Sequence, residues 1–426
     1  MNRDTIRETC KEDEQMQTYE GEPLNILHTI GLDILYPVVR VEMQIEPQLD
    51  LPRFKTALTA VSQIVPELLC RYEMKTDQWV QVTDDVTDLI FPAIKDVDQD
   101  AQNWDLMREP QLRVYWNDTG DATKLTLYIS HILTDGAGSK QLLYLIAQAY
   151  SAGPSAVESV TNSQNLDWLE TLVRDYHPAA AQQTDHPDEA LKLPRLKSDG
   201  GSQYQVGRVQ LATLETKRLL RATHQQHVTV NDVVMAAFGR VMQSFSGTHS
   251  IALACPTDMR QFTTCPERTV QIANMTSRYN LSLVTELDEP FTTLVKRFHQ
   301  AMITRKQEMQ CLDSVAGLLK QYQHEPLAKL QQIVEDNYHV REVAYTNFGV
   351  IDDQRLKFTG HHITSFVMTG GFRQAPMYQI AAGTFGNRLT LAFNMNGTQT
   401  EYTFGMALAR ATAELINRFA LEALSE

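Results

Sequence analysis

Cysteine is scarce and scattered: Cys10, Cys70, Cys255, Cys265 and Cys311 are the only five in 426 residues, and no two form a C-x-x-C pair. An odd, dispersed set of thiols excludes a disulfide framework and a cysteine-rich zinc site, and it points to a reducing, cytoplasmic setting. No run of 18 apolar residues occurs, so no membrane span is expected. The opening stretch from Met1 to Met16 has neither an apolar core nor a small-residue cleavage site, and no secretory signal is read there. Basic charge is in deficit: 38 Lys and Arg face 52 Asp and Glu, for a net charge of −14. Nucleic-acid binding depends on clustered cations, so that class is excluded; a small anionic ligand needs only a few local ones. There is no G-x-S-x-G elbow of a serine hydrolase, and Gly136-Ala-Gly138 does not complete a dinucleotide fingerprint. Neither an internal repeat nor a low-complexity tract is found.

What remains is an ordinary globular composition, 43% hydrophobic and 21% charged. The length exceeds what one core usually supports, so two domains are expected: residues 1–180, a linker at 181–205, and residues 206–426. The linker is read from its Pro, Ser, Ala, Gln and Asp content and from breakers such as Asp-His-Pro-Asp-Glu. Val38 to Ile45 alternates like a strand. Asp50 caps a helix with Pro52 in its first turn and Phe54, Leu58, Val61 and Val65 on one face, ending at Pro66. Leu112, Val114 and Trp116, a turn at 117–121, then Leu125, Leu127 and Ile129 read as a β-hairpin. Thr229 and Asp232 form a capping box that opens an apolar helix. Helices are expected near 139–150, 290–309 and 404–419, and strands in IALACP, at 343–348, 378–385 and 389–395. Strands and helices mix without strict alternation, so the fold class is α+β with mixed sheets.

The chemistry centres on Ser130-His131-Ile132-Leu133-Thr134-Asp135-Gly136. Counting by two along the second hairpin strand, His131 lies on the side of Leu125, Leu127 and Ile129 and faces inward where the strand ends. Histidine is the natural base near neutral pH, with an unperturbed pKa of about 6.5. A base also needs a fixed position, which a strand end feeding a tight Asp-Gly turn supplies. A chain of this composition holds roughly 0.04 H-x-x-x-D-G matches by chance, so the motif is a real but moderate signal. His361-His362 has no following Asp-Gly and is read as strand or loop. His224 and His227 lack further ligands and are read as a solvated face, so no metal site is expected.

Several stretches, in order, resemble one superfamily: that of chloramphenicol acetyltransferase, plant BAHD acyltransferases, nonribosomal peptide condensation domains and stand-alone alcohol acyltransferases. QLDLPRFKTALTAVSQIVPELLCRYEM, EPQLRVYW, SHILTDGAGSKQLLYLIAQAY, TVNDVVMAAFGRVM, ACPTDMRQF and YTNFGVID carry the likeness, from about residue 24 to 415. The resemblance implies two chloramphenicol-acetyltransferase-like halves in a V, with the active site at their interface. It implies His131 as catalytic base. Asp135 is implied to point away from the reacting centre and pair with Arg260, holding the loop, and Gly136 lets the turn close. Asn347, Phe348 and Gly349 match a signpost near the substrate tunnel. Lys217, Arg218 and Arg221 form a basic helical patch, read as a solvated face or as a contact for phosphates of coenzyme A or phosphopantetheine.

Ser130 stands where many relatives carry a first histidine, which disfavours peptide-bond formation; the late Asp-Phe-Gly-Trp-Gly signpost of the plant group is absent. The implied activity is acyl transfer from an acyl-coenzyme A to a small-molecule alcohol, with no permanently bound cofactor. The alternatives are a free-standing condensation enzyme that takes a phosphopantetheinyl thioester from a carrier protein, and a catalytically silent carrier-binding member of the fold.

Overall fold

In the computed structural model, residues 17–92, 94–177, 187–197, 200–337 and 340–425 are described; Cys10 and linker residues 181–186 and 198–199 lie outside them. The chain builds two hydrophobic cores, each behind its own mixed sheet. The architecture is α+β, as the pattern of elements implied.

The first sheet has five strands in the order His362–Thr369, Val38–Glu46, Ala122–Ser130, Leu112–Thr119 and Ile90–Pro92. All neighbours are antiparallel except the last pair. The hairpin forms where alternation and the turn chemistry at Gly120 predicted it, with Gly120 at φ +67°. Helices Leu51–Ile64 and Gly136–Ala152 cover one face. The first is capped by Asp50, whose carboxylate accepts the Arg53 amide at 2.6 Å. It is tied to the second by the Asp50 amide donating to Tyr150 Oη at 2.9 Å. The opposite face is polar and half-buried: Arg40 pairs with Asp98 at 2.8 Å and Glu42 at 2.7 Å, and Tyr128 donates to Asp98.

The second sheet is built on Arg388–Gly397, antiparallel to Tyr378–Phe385 on one side and to Gln203–Gln210 on the other. Val343–Val350 runs parallel to Tyr378–Phe385. Helices Thr213–Gln225, Val230–Ser246 and Gln399–Glu422 pack against it. The predicted capping box is present, with the Thr229 amide donating to Asp232 at 2.8 Å and the Asp232 amide to Thr229 Oγ1 at 3.2 Å. Beside it, strands Ser250–Asp258 and Thr276–Val284 form an antiparallel pair.

Chain order and core do not coincide. Strand His362–Thr369, late in the sequence, hydrogen-bonds to Val38–Glu46 and so extends the first sheet. In the other direction Leu24, Ile26, Leu169 and Val173 are buried in the second core. This exchange welds the halves along a seam, and the site lies there.

Candidate active site

His131 follows the last residue of a central strand, and its position comes from the backbone: its amide donates to the Pro37 carbonyl at 2.8 Å. Ser130 is fully buried and its Oγ accepts from the amides of Ile132 at 3.2 Å and Leu133 at 3.4 Å. The residue that replaces the first histidine of many relatives therefore pins the turn. The turn then crosses to the other half, where the Asp135 amide donates to Ala273 O at 3.2 Å and Thr134 Oγ1 to the same carbonyl at 3.1 Å.

Asp135 caps helix Gly136–Ala152, with Oδ1 accepting the Gly138 amide at 2.8 Å, while Oδ2 accepts the Met275 amide at 2.7 Å. Arg260 reaches both carboxylate oxygens, at 3.1 and 2.9 Å, and spends its other nitrogens on the carbonyls of Gln271 and Ala273. Both side chains are nearly enclosed, 4% and 9% exposed. Burial by itself would raise the Asp135 carboxyl, but Arg260 and the two amides outweigh it and hold it below the usual range. With four donor contacts on two oxygens, Asp135 makes no hydrogen bond to His131 and acts on it only through space.

Gly136 is confined from across the seam: a Cβ there would stand 2.7 Å from two ring carbons of Phe348. Gly138 is confined by its own loop, where a Cβ would meet Thr134 Oγ1 at 2.1 Å and Ala273 O at 3.0 Å. Phe348 also accepts the Lys140 ammonium on its carbonyl at 2.6 Å. Asn347 points elsewhere, donating to Asn231 Oδ1 at 3.0 Å and accepting the amide of Gly349 at 2.8 Å, with Gly349 at φ +66°. Two sequence signposts thus meet through an Asn–Asn contact. Lys217, Arg218 and Arg221 are exposed on helix Thr213–Gln225 and do not line the cavity.

That cavity, about 190 Å³, lies between the halves, with Tyr36 and His131 from one side and Arg278, Phe348, Arg373 and Gln379 from the other. Among the described residues no Asp or Glu lines it. His131 lines the cavity; its Nδ1 is buried beside the residue's own carbonyl, whereas Nε2 is not enclosed in that way. Burial lowers the His131 pKa, opposed by the Asp135 charge and the residue's own carbonyl. A neutral imidazole with an open nitrogen can accept a proton.

Sequence reasoning missed His28. It ends the short helix Pro23–His28 and stacks on His131 with ring centroids 4.0 Å apart and planes at 27°. No motif surrounds it, and nothing local foretells that this turn folds over the loop. Asn25 Nδ2 donates to Ile132 O at 2.7 Å, and Asn274 Nδ2 donates to the carbonyls of Leu24 and His131 at 3.1 Å each. Among the described residues no group of His, Cys, Asp or Glu could hold a metal, and no helix is long and apolar enough to cross a membrane. His361 is taken up by Pro47 O at 2.8 Å and Tyr150 Oη at 3.3 Å.

Residues 37–312 match the family described as the condensation domain. Gramicidin S synthase 2 of Brevibacillus brevis is 26% identical over 226 residues, 49% of this chain and 5% of that protein. The chain therefore spans about a twentieth of the length of the curated relatives it matches. The condensation domain of the monacolin K polyketide synthase MokA superposes with a TM-score of 0.65 at 11% identity, covering 95% of this chain and 98% of that one. The first condensation domain of the calcium-dependent antibiotic synthetase does so at 0.64 and 16%, covering 94% and 96%. At such identities the structural likeness concerns the fold.

Proposed function

The chain belongs to the condensation-domain family, and from that premise we propose that it transfers an acyl group from a carrier-bound phosphopantetheinyl thioester to a small hydroxyl- or amine-bearing acceptor. One observation carries the reading: His131 lines a cavity between the halves with its Nε2 not enclosed, on a loop clamped by Asp135 and Arg260. The acceptor gives its proton to Nε2 as its oxygen or nitrogen attacks the thioester carbonyl. The tetrahedral adduct then collapses, the carbon–sulfur bond breaks, and the imidazolium returns the proton to the departing thiolate. General-base assistance contributes roughly 10²–10⁴-fold. Asp135, saturated by its own donors, is a structural member of the loop. Phe348 forms part of the substrate wall, with Asn347 and Gly349 holding its strand.

Ser130 favours a second donor, acyl-coenzyme A, with an alcohol acceptor, since peptide-forming relatives usually carry a histidine there. Both donors share the phosphopantetheine arm, and the Lys217, Arg218 and Arg221 face would meet the phosphates of either, or the carrier itself. Thiol release by the purified chain, measured with acetyl-coenzyme A and with an acyl-loaded carrier against a panel of alcohols and amines, separates them. Carrier-dependent release supports the first reading and coenzyme A turnover the second. No release from either donor means a silent carrier-binding protein and refutes both.

A further inference from the structure

The second sheet turns one of its faces to the seam. Along strand Tyr378–Phe385, Tyr378, Ile380 and Ala382 are buried in the second core, while Ala381 is buried in the first. Successive side chains of a strand alternate faces, so Gln379 stands on the side of Ala381, and it lines the same cavity as His131. Arg373, from the nearby short strand Arg373–Gln374, lines it too and is only 4% exposed.

These two side chains form one directed unit. Arg373 Nε donates to Gln379 Oε1 at 3.0 Å, and its Nη1 donates to the Arg341 carbonyl at 2.8 Å. Both acceptors are neutral, so these contacts orient the guanidinium and leave its charge in place. Only an oxygen can accept from Nε–H, which fixes the Gln379 amide with Nε2 turned away from Arg373. The two Nε2 hydrogens are donated to no described residue. Arg278 brings a second guanidinium, whose charge reaches far enough to help keep His28 neutral. Among the described residues the cavity's lining thus holds two guanidiniums and no carboxylate. At about 190 Å³ it exceeds the roughly 150 Å³ that encloses a benzene ring, so a small organic acid fits.

We propose that the cavity selects a substrate bearing a free carboxylate, which accepts from Gln379 Nε2 and lies in the field of Arg373 and Arg278. This deepens the reading of the cavity as the place of acyl transfer and rests on it. A hydrogen bond to an ionised acceptor is roughly twice as strong as a neutral one, so the uncharged amide of the same acid is the poorer substrate. The carboxylate has two sources: the acceptor, as a small hydroxy or amino acid not tied to a carrier, or the far end of a dicarboxylic acyl group. In both cases the thioester and the acceptor's O–H or N–H become an ester or amide and a free thiol, with the carboxylate unchanged.

Thiol release is to be measured in the wild type, Gln379→Glu and Gln379→Met with matched pairs. One set offers lactate against lactamide and β-alanine against β-alaninamide, with an acetyl donor. The other offers a succinyl against a butyryl donor, with butanol as acceptor. The wild type is expected to favour the charged member of one set by roughly 10- to 100-fold in kcat/KM. Gln379→Glu, which sets a carboxylate of the protein beside Arg373, should bring that ratio to about one or below, and Gln379→Met should lower it in part. Preference in the first set puts the carboxylate on the acceptor, and in the second on the acyl group. Parity within every pair, or a preference that Gln379→Glu leaves standing, overturns the proposal. Lactate, succinate and their amides are also titrated without a donor, read from the histidine ring protons that His131→Ala lacks; this readout needs no turnover. If no pair releases thiol, the acyl-transfer reading falls and the titration decides. Saturable shifts with an acid and not its amide, weakened in Gln379→Glu, then uphold the carboxylate site, and their absence overturns it.

Discussion

Replacing Asp135 by Ala removes one partner of a pair that is almost wholly enclosed, leaving Arg260 buried beside only Asp258, at 2.8 Å, and the carbonyls of Gln271 and Ala273. Breaking a buried pair in this way costs about 3–5 kcal/mol. The same change uncaps helix Gly136–Ala152, worth about 1 kcal/mol, and orphans the Met275 amide. With a urea m-value of about 3 kcal/mol/M, the unfolding midpoint should fall by about 1 M or more. Activity should fall with it, because the loop that carries His131 loses its anchor to the second half. Asp135→Leu combined with Arg260→Met should cost less than the sum of the two singles, since no charge is then stranded. The sign with pH follows from the depressed carboxyl: its stabilisation is full above the unfolded value of about 3.9 and is lost as pH falls through the lower folded value. The gap between wild type and Asp135→Ala should therefore be widest near neutrality and close in acid. Urea titrations at several pH values, with thiol release on the same samples, provide the check. An Asp135→Ala protein with wild-type stability and no activity would refute the structural role.

His131→Ala should keep the wild-type urea midpoint at neutral pH while kcat drops roughly 10²–10⁴-fold in single-turnover assays. Because burial lowers the His131 pKa, activity should persist below the ordinary imidazole value of about 6.5 before its acid limb. The same shift makes the unfolded chain the better proton binder below about pH 6.5, so this residue's contribution to stability should decline there as pH falls. Gly136→Ala should destabilise by about 1–3 kcal/mol through the Phe348 ring, and Phe348→Leu in the same chain should relieve part of it, measurable as a double-mutant cycle. Reversing the charges of Lys217, Arg218 and Arg221 should raise the donor KM and leave kcat in place, read from initial rates at varied donor concentration.

Much of the fold is written locally. The Asp50 cap, the Thr229–Asp232 box, the alternation on either side of Gly120 and the apolar stripe after Gly138 each involve a few neighbouring residues, whose preferences hold whatever the rest of the chain does. The motif loop is legible for the same reason, and the resemblance of ordered stretches supplied the Asp135–Arg260 pairing. Strands Thr276–Val284 and His362–Thr369 escaped notice because polar residues interrupt their alternation and their partners lie far off in sequence. Gln203–Gln210 escaped because its first residues looked like linker.

The sequence by itself determined several helices and the hairpin, the α+β class and the loop that carries His131, because caps, periodicity and turn chemistry act over one or two turns of chain. Tertiary structure alone decided that a late strand completes the first sheet, that Phe348 is what forbids a side chain at Gly136, and that His28 lies on His131. Those are contacts between segments with no local preference for one another. They exist because burying the two cores brings the segments to one seam.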